Sequence, residues 1–244
     1  MNISNLLLKN LRYKHIYAFV AASFVLLLSA CLKDDNADNG SIPATLVSIV
    51  HASPDAGDLI VGIDGSRANN QSFNLGNRIV YLPFFPGGHQ FQVNRASDNK
   101  MLDIKNWNLE GSVYYTIFAV DRLDSLELLG VRDFYAGDEF KENHAKVRFI
   151  NLCPDSVSFD LKVNTIDTLL ASNKKFKQNS QFGDIIADDK TSYNVQILDH
   201  ATNRQLAVEE FKPVAGRYYT IMAGGLMDPK TEAQKLRVFV LKHD

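Results

Sequence analysis

The chain has 244 residues, 45% of them hydrophobic and 22% charged, with a formal net charge of −2. That balance is ordinary for a folded globular protein and excludes a disordered polar chain. It also lacks the basic surplus that binding to nucleic acid requires, and two cysteines are too few for a disulfide-stapled scaffold.

At the start of the chain, the 13 residues from Ile16 to Leu28 carry no charge, and the cations Lys9, Arg12 and Lys14 precede them without an acid among the first 30 residues. This is a positive n-region followed by an apolar h-region, too short for a spanning helix of roughly 20 residues. It ends in Leu28-Ser29-Ala30-Cys31. These residues resemble the lipobox of bacterial lipoproteins, which implies cleavage before Cys31 and lipid on that cysteine. The next residues, Leu32 to Gly40, are short, polar and acidic. Lys33-Asp34-Asp35 directly behind the cysteine is similar to a surface-export signal of lipoproteins in one phylum of outer-membrane bacteria. The expectation is an outer-membrane protein held through lipid on Cys31 and facing the cell exterior. With Cys31 lipidated, Cys153 has no disulfide partner and reads as a small buried hydrophobe.

From residue 45 onward a pattern occurs twice. Ile49-Val50-His51-Ala52-Ser53-Pro54-Asp55 matches Phe149-Ile150-Asn151-Leu152-Cys153-Pro154-Asp155, and Gly111-Ser112-Val113-Tyr114-Tyr115-Thr116-Ile117 matches Gly216-Arg217-Tyr218-Tyr219-Thr220-Ile221. Two matches at nearly the same offset divide the chain into 1–30 signal peptide, 31–43 lipidated acidic tether, 44–136 first repeat and 145–244 second repeat. The polar stretch 136–144 is the linker, and each half is expected to fold on its own.

Both repeats read as β. Strands are predicted at 45–51, 58–64, 79–85, 89–94, 101–109, 113–120 and 126–133, and again at 146–152, 159–163, 193–197, 204–211, 217–223 and 236–241. Period-two alternation, as in His89, Phe91, Val93 against Gln90, Gln92, Asn94, marks one buried and one solvated face. Turn residues separate the runs, as at Pro54-Asp55, Asp64-Gly65 and Pro86-Gly87-Gly88. The fold class is all-β: two tandem immunoglobulin-like antiparallel β-sandwich domains behind a lipoprotein signal peptide. In each repeat the Pro-Asp pair suits a turn leaving the first strand. One tyrosine of each Tyr-Tyr-Thr strand fills the core with its hydroxyl on a backbone group, much as in a tyrosine corner.

On these residues the chain resembles the bacterial repeat family called domain of unknown function 4397. The features are a first strand ending in His-Ala-Ser-Pro-Asp, an Asp-Gly turn, a Pro-Gly hairpin and a late Gly-x-x-Tyr-Thr strand. The match runs from about 46 to 131. The second repeat departs from it, with Asn151 and Cys153 where the first has His51 and Ser53. The resemblance implies an exported sandwich and brings no catalytic residues.

No catalytic elbow, phosphate loop, dinucleotide fingerprint or zinc motif occurs. His51, His89, His144, His200 and His243 lie outside metal-ligand spacing of one another. No metal, no cofactor and no enzymatic activity are expected. His51 near Asp55 has the makings of a base, but the second repeat carries Asn151 there, which fits a turn-stabilising side chain. Possible ligand contacts are Phe84 and Phe85, in an apolar run entering a turn, and Trp107, the single tryptophan, between Asn106 and Asn108. Against these stand packing of the phenylalanines into the sandwich end and burial of the tryptophan. Asn69-Asn70-Gln71-Ser72 reads as a polar loop. The expected role is a non-catalytic binding or accessory module, serving adhesion, glycan binding or an outer-membrane uptake complex. The alternatives are a structural envelope spacer and, last, a hydrolase with a site assembled through space.

Overall fold

The computed structural model describes residues 43–164, 169–188 and 190–243. Cys31, Lys33, Asp34 and Asp35 lie outside the described residues. The first half contains β1 (Thr45–His51), β2 (Leu59–Ile63), β3 (Ser66–Arg67), β4 (Arg78–Phe84), β5 (Gly87–Arg95), β6 (Met101–Leu109), β7 (Val113–Val120) and β8 (Glu127–Tyr135). The second contains β9 (His144–Leu152), β10 (Phe159–Val163), β11 (Leu169–Lys174), β12 (Gly183–Ile186), β13 (Tyr193–Asp199), β14 (Gln205–Phe211), β15 (Tyr218–Gly224) and β16 (Arg237–His243). The only helical elements among the described residues are two three-residue 3-10 turns, Leu123–Ser125 and Glu232–Gln234.

Each half is a sandwich of two four-stranded sheets. In the first, β3-β2-β5-β6 packs on β4-β1-β7-β8; in the second, β11-β10-β13-β14 packs on β12-β9-β15-β16. The sheets are mostly antiparallel, yet β1 pairs with β7, and β9 with β15, in parallel. The repeated motifs thus mark the two central strands of one sheet in each half. Val47, Ile49, Val61, Phe91, Val93 and Ile117 fill the first core. Val147, Phe149, Leu161, Val195, Ile197 and Ile221 fill the second.

A third core joins the halves. Val50, Ala52, Phe118 and Val120 pack with Ile150, Leu152, Met222 and Leu241. The two sheets that carry the repeated strands therefore lie face to face, and the molecule is four sheets deep. The strand sequences already require this. Ile117-Phe118-Ala119-Val120 and every residue of β15 are buried, and a strand buried on both faces reads as a continuous apolar run. The first tyrosine of each Tyr-Tyr-Thr strand, Tyr114 and Tyr218, stacks against Phe134 between the halves, at ring-centroid distances of 4.4 and 4.0 Å.

At the middle of this interface sits a buried polar ring. Arg148 pairs with Asp133 across the halves, and their side chains are 2% and 0% exposed. Asp133 also accepts from Thr116, at 2.7 Å, and from Tyr81, at 2.6 Å. Tyr81, having given its proton, accepts from His243 Nδ1 at 2.6 Å. His243 Nε2 then accepts from Thr220 at 2.7 Å, and Thr220 accepts from Arg148 Nε at 2.9 Å. The ring closes when His243 carries a proton on Nδ1. Burial, then the Asp133 charge, push the Tyr81 hydroxyl far above its ordinary range, so it remains a donor.

The contacts also give the relative direction of the two sheets. Arg78 and Tyr81 of β4 meet Lys242 and His243 of β16, while Glu127 and Asp133 of β8 meet Lys177 and Arg148. Strand order across one sheet thus runs opposite to that across the other. The repeats are related by an approximate two-fold axis parallel to the strands.

Candidate functional site

Phe84 and Phe85 separate into two roles. Phe84 turns inward, edge-on to His89 and Phe91 at 5.2 and 6.1 Å. Phe85 is 76% exposed. Its carbonyl accepts from His89 Nε2 at 2.8 Å, and His89 Nδ1 bonds Asp64 at 2.7 Å, so the turn that presents Phe85 is braced from the neighbouring hairpin. The His89 hydrogen bond holds the Asp64 carboxyl below the usual carboxylate range.

Trp107 is half-buried on β6, opposite His89 in the ladder. Its indole packs on Phe91 at 5.4 Å and over Gly130 of β8, where a Cβ would approach the ring to 3.2 Å. Gly130 is what lets the indole cross the seam between the two sheets. A cavity of about 90 Å³ opens there, lined by Trp107, Asn108, Leu109, Tyr115, Gly130 and Arg132. Tyr115, Arg132, Glu110 and Tyr135 carry no sequence signal that marks them as site residues. Tyr115 lies directly across from Arg132 in the β7–β8 ladder. The Arg132 guanidinium lies 6.0 Å from the Tyr115 ring and 5.4 Å from that of Tyr135, donates to the Tyr135 hydroxyl at 2.6 Å, and pairs with Glu110. Tyr135 is 47% exposed. The nearest available signal was register: Trp107 and Arg132 sit on edge strands of the two sheets, which a sandwich brings together.

The other sequence candidates have structural work. His51 Nε2 donates to the Gly57 carbonyl at 2.8 Å, and burial lowers its pKa to about 4, so it is neutral. Asn151 does the corresponding service, with its amide on Lys174 O and its oxygen on Cys153 N. Asp55 accepts from Leu123 N at 2.8 Å; Asp155 accepts from Met227 N and Asp228 N. Each thereby ties the turn after the first strand to the loop after the late strand. Tyr115 and Tyr219 accept from the backbone N–H of Glu110 and Val214, five residues earlier, as a tyrosine corner does. Cys153 is fully buried, and burial drives its thiol far above the ordinary range. Among the described residues no group of three or more metal-ligating side chains occurs. Asn69 bridges Val61 N and Leu59 O and organises its own loop.

Residues 45–154 match the family model described as domain of unknown function (DUF4397). The match covers the first repeat and the opening strand of the second. No curated protein shows significant sequence similarity to the chain. Several solved structures align over most of it. A family 41 carbohydrate-binding module from streptococcal virulence factors, described as recognising α-glucan, is 8% identical over 80% of this chain and 96% of its own, with a TM-score of 0.28. A family 26 carbohydrate-binding module from Eubacterium rectale, solved with maltoheptaose, is 9% identical over 78% and 100%, with a TM-score of 0.25. A candidate cell adhesion protein from Bacteroides uniformis is 13% identical over 83% and 97%, with a TM-score of 0.25.

Proposed function

We propose that this chain is a lipid-anchored, non-catalytic glycan-binding module of the outer membrane, facing the cell exterior. The observation that supports it is the Trp107 seam: an indole and two tyrosines gathered around a paired guanidinium and carboxylate, with Asn108 beside them. Sugars are recognised by this combination, since their C–H faces lie on aromatic rings while their hydroxyls exchange hydrogen bonds with planar polar groups. The cavity of about 90 Å³ has roughly the volume of three waters. It admits a hydroxymethyl or acetamido arm, with the ring lying across the mouth against Trp107. Glu110 neutralises Arg132, so the rim offers hydrogen bonds without net charge, which suits a neutral polysaccharide.

Affinity electrophoresis through gels cast with single neutral polysaccharides tests this. The wild-type chain should be retarded by at least one, and Trp107→Ala should lose most of that retardation, with unchanged circular dichroism. Retardation by none, or equal retardation of the variant, overturns the reading. The anchor is tested separately. Each buried methylene contributes about 0.8 kcal/mol, so the two or three acyl chains of a lipoprotein hold it permanently. Cys31→Ala should release the protein from membranes. Replacing Lys33, Asp34 and Asp35 with Ala should leave it attached but protect it from protease added to intact cells; wild-type resistance before lysis would remove the outward orientation.

The spacer reading keeps one supporting observation, the third core, which fuses the two halves into a stiff body. A stiff body also serves a binding module that must project from a membrane.

A further inference from the structure

The exposed apolar side chains gather at one end of the body. β1 runs parallel to β7 and β9 runs parallel to β15, and the stacking of Tyr114 and Tyr218 on Phe134 brings the starts of both pairs to the same end. Their antiparallel partners β4, β8, β12 and β16 finish there. Among the described residues ten large hydrophobic side chains are exposed, and five of them, Phe85, Tyr135, Leu169, Ile186 and Val214, lie on turns and strand ends at this end. The opposite end carries two, Met101 and Val157. The turn that presents Phe85 is braced by His89, and the linker is pinned across the same end by the Tyr218 hydroxyl on Asp138 at 2.7 Å and by Phe140, edge-on to Tyr218 at 4.9 Å. This is a built surface.

The chain also enters the body here. A Cβ on Gly111 would meet the Pro43 carbonyl at 2.8 Å and the Pro86 ring at 3.1 Å, so Pro43 lies beside the turn that carries Phe85. Cys31 precedes Pro43 by twelve residues, which span at most about 40 Å. A lipid on Cys31 therefore keeps this end of the body near the bilayer. The charges at this end stand in pairs, Arg132 with Glu110, Lys141 with Asp184 and His89 with Asp64, or in both signs on exposed loops, as Arg217 and Lys212 against Glu139 and Glu142. Such a surface has no strong pull on a charged partner. Exposed rings and aliphatic side chains among paired charges suit the boundary between acyl chains and neutral headgroups.

From this placement we infer that the end is a lipid-facing base: it rests on the bilayer that holds Cys31, seats Phe85, Tyr135, Ile186 and Val214 at headgroup level, and stands the strands along the membrane normal. The inference rests on the lipid anchor proposed above and adds to it the orientation of the body. Contacts too weak to bind a membrane alone suffice, because the anchor makes the second engagement intramolecular. In this stance the Trp107 seam opens sideways, along the membrane.

The test uses the full chain purified from membranes with its anchor and reconstituted into phosphatidylcholine vesicles, with acyl chains either brominated near the glycerol or not. Trp107→Phe removes the native indole, and one probe is then added: Phe85→Trp or Val214→Trp at the base, Met101→Trp or Val157→Trp at the far end. Flotation with the vesicles reports attachment, and circular dichroism reports folding. Brominated lipid should quench both base probes and neither far probe. Adding Ile186→Ser and Val214→Ser to the Phe85→Trp chain should reduce its quenching several-fold while flotation persists. Flotation with the base probes unquenched overturns the base and leaves the anchor standing; if that protein is a dimer in detergent, the end belongs to a second copy. Equal quenching at both ends overturns the upright stance. A chain that neither enters membranes nor floats overturns the anchor and the base together.

Discussion

His51 shows how one side chain can be chosen for its neutral state. It is buried, donates to Gly57 O and lies 5.7 Å from the Phe73 ring. Desolvation, the largest influence, lowers its pKa from 6.5 to about 4. The sign of the linkage follows. Between pH 6.5 and 4 the unfolded chain binds a proton that the folded chain refuses, so stability is complete above 6.5 and falls as pH drops through that window. A shift of this size corresponds to about 3 kcal/mol at full effect. His51→Asn, which copies Asn151, should flatten the pH dependence of the urea midpoint between pH 7 and 4.5, though carboxylates will leave some slope. Parallel pH profiles for wild type and variant would show that His51 charges freely in the fold. The role of His51 was legible from the repeat itself, because an essential base would not be exchanged for Asn. Trp107 was legible as a candidate and no more, since a lone tryptophan between two amides does not reveal that a glycine on another strand makes room for it.

At the scale of elements, the strands with clean alternation or dense β-branched and aromatic content were readable within a residue or two, β1, β6 and β7 being examples. Those missed lack that signal. The six residues of β11, Leu-Leu-Ala-Ser-Asn-Lys, alternate in neither polarity nor burial, and the four residues of β12 expose Ile186 while burying Ile185. Both are edge strands, specified by the partner beside them more than by their own pattern. The parallel pairing of β1 with β7 was likewise unreadable, because period-two alternation is the same in either direction. Gly76 illustrates a constraint that crosses elements. Its φ of +89° and the Phe239 ring over it exclude any side chain, and the ring belongs to the other half of the molecule.

For the whole molecule, the decisive fact is that the sheets bearing the repeated strands pack on each other. The repeat made two sandwiches legible, but it drew attention to what the halves share and away from the surface on which they meet. Apolar runs such as Ile117 to Val120 held the missing signal, since a strand with one solvated face has no need of two apolar ones. An isolated half would expose part of the third core and strand a member of the Arg148–Asp133 pair, so the halves should lose stability together. Arg148→Met tests this through the single tryptophan, which reports on the first half, while circular dichroism reports on both. Removing one partner of a buried pair costs about 3–5 kcal/mol, because the remaining charge stays buried without compensation. The Trp107 fluorescence transition and the circular dichroism transition should therefore move together to lower urea. Arg148→Met with Asp133→Leu should recover part of the loss, because replacing both charges with apolar groups leaves no buried charge, only the hydroxyls of Tyr81 and Thr116 without their acceptor and Thr220 Oγ1 and the Arg132 carbonyl without their donor. A Trp107 transition that stays in place while the circular dichroism splits into two steps would mean that the halves unfold independently and that the buried ring only aligns them.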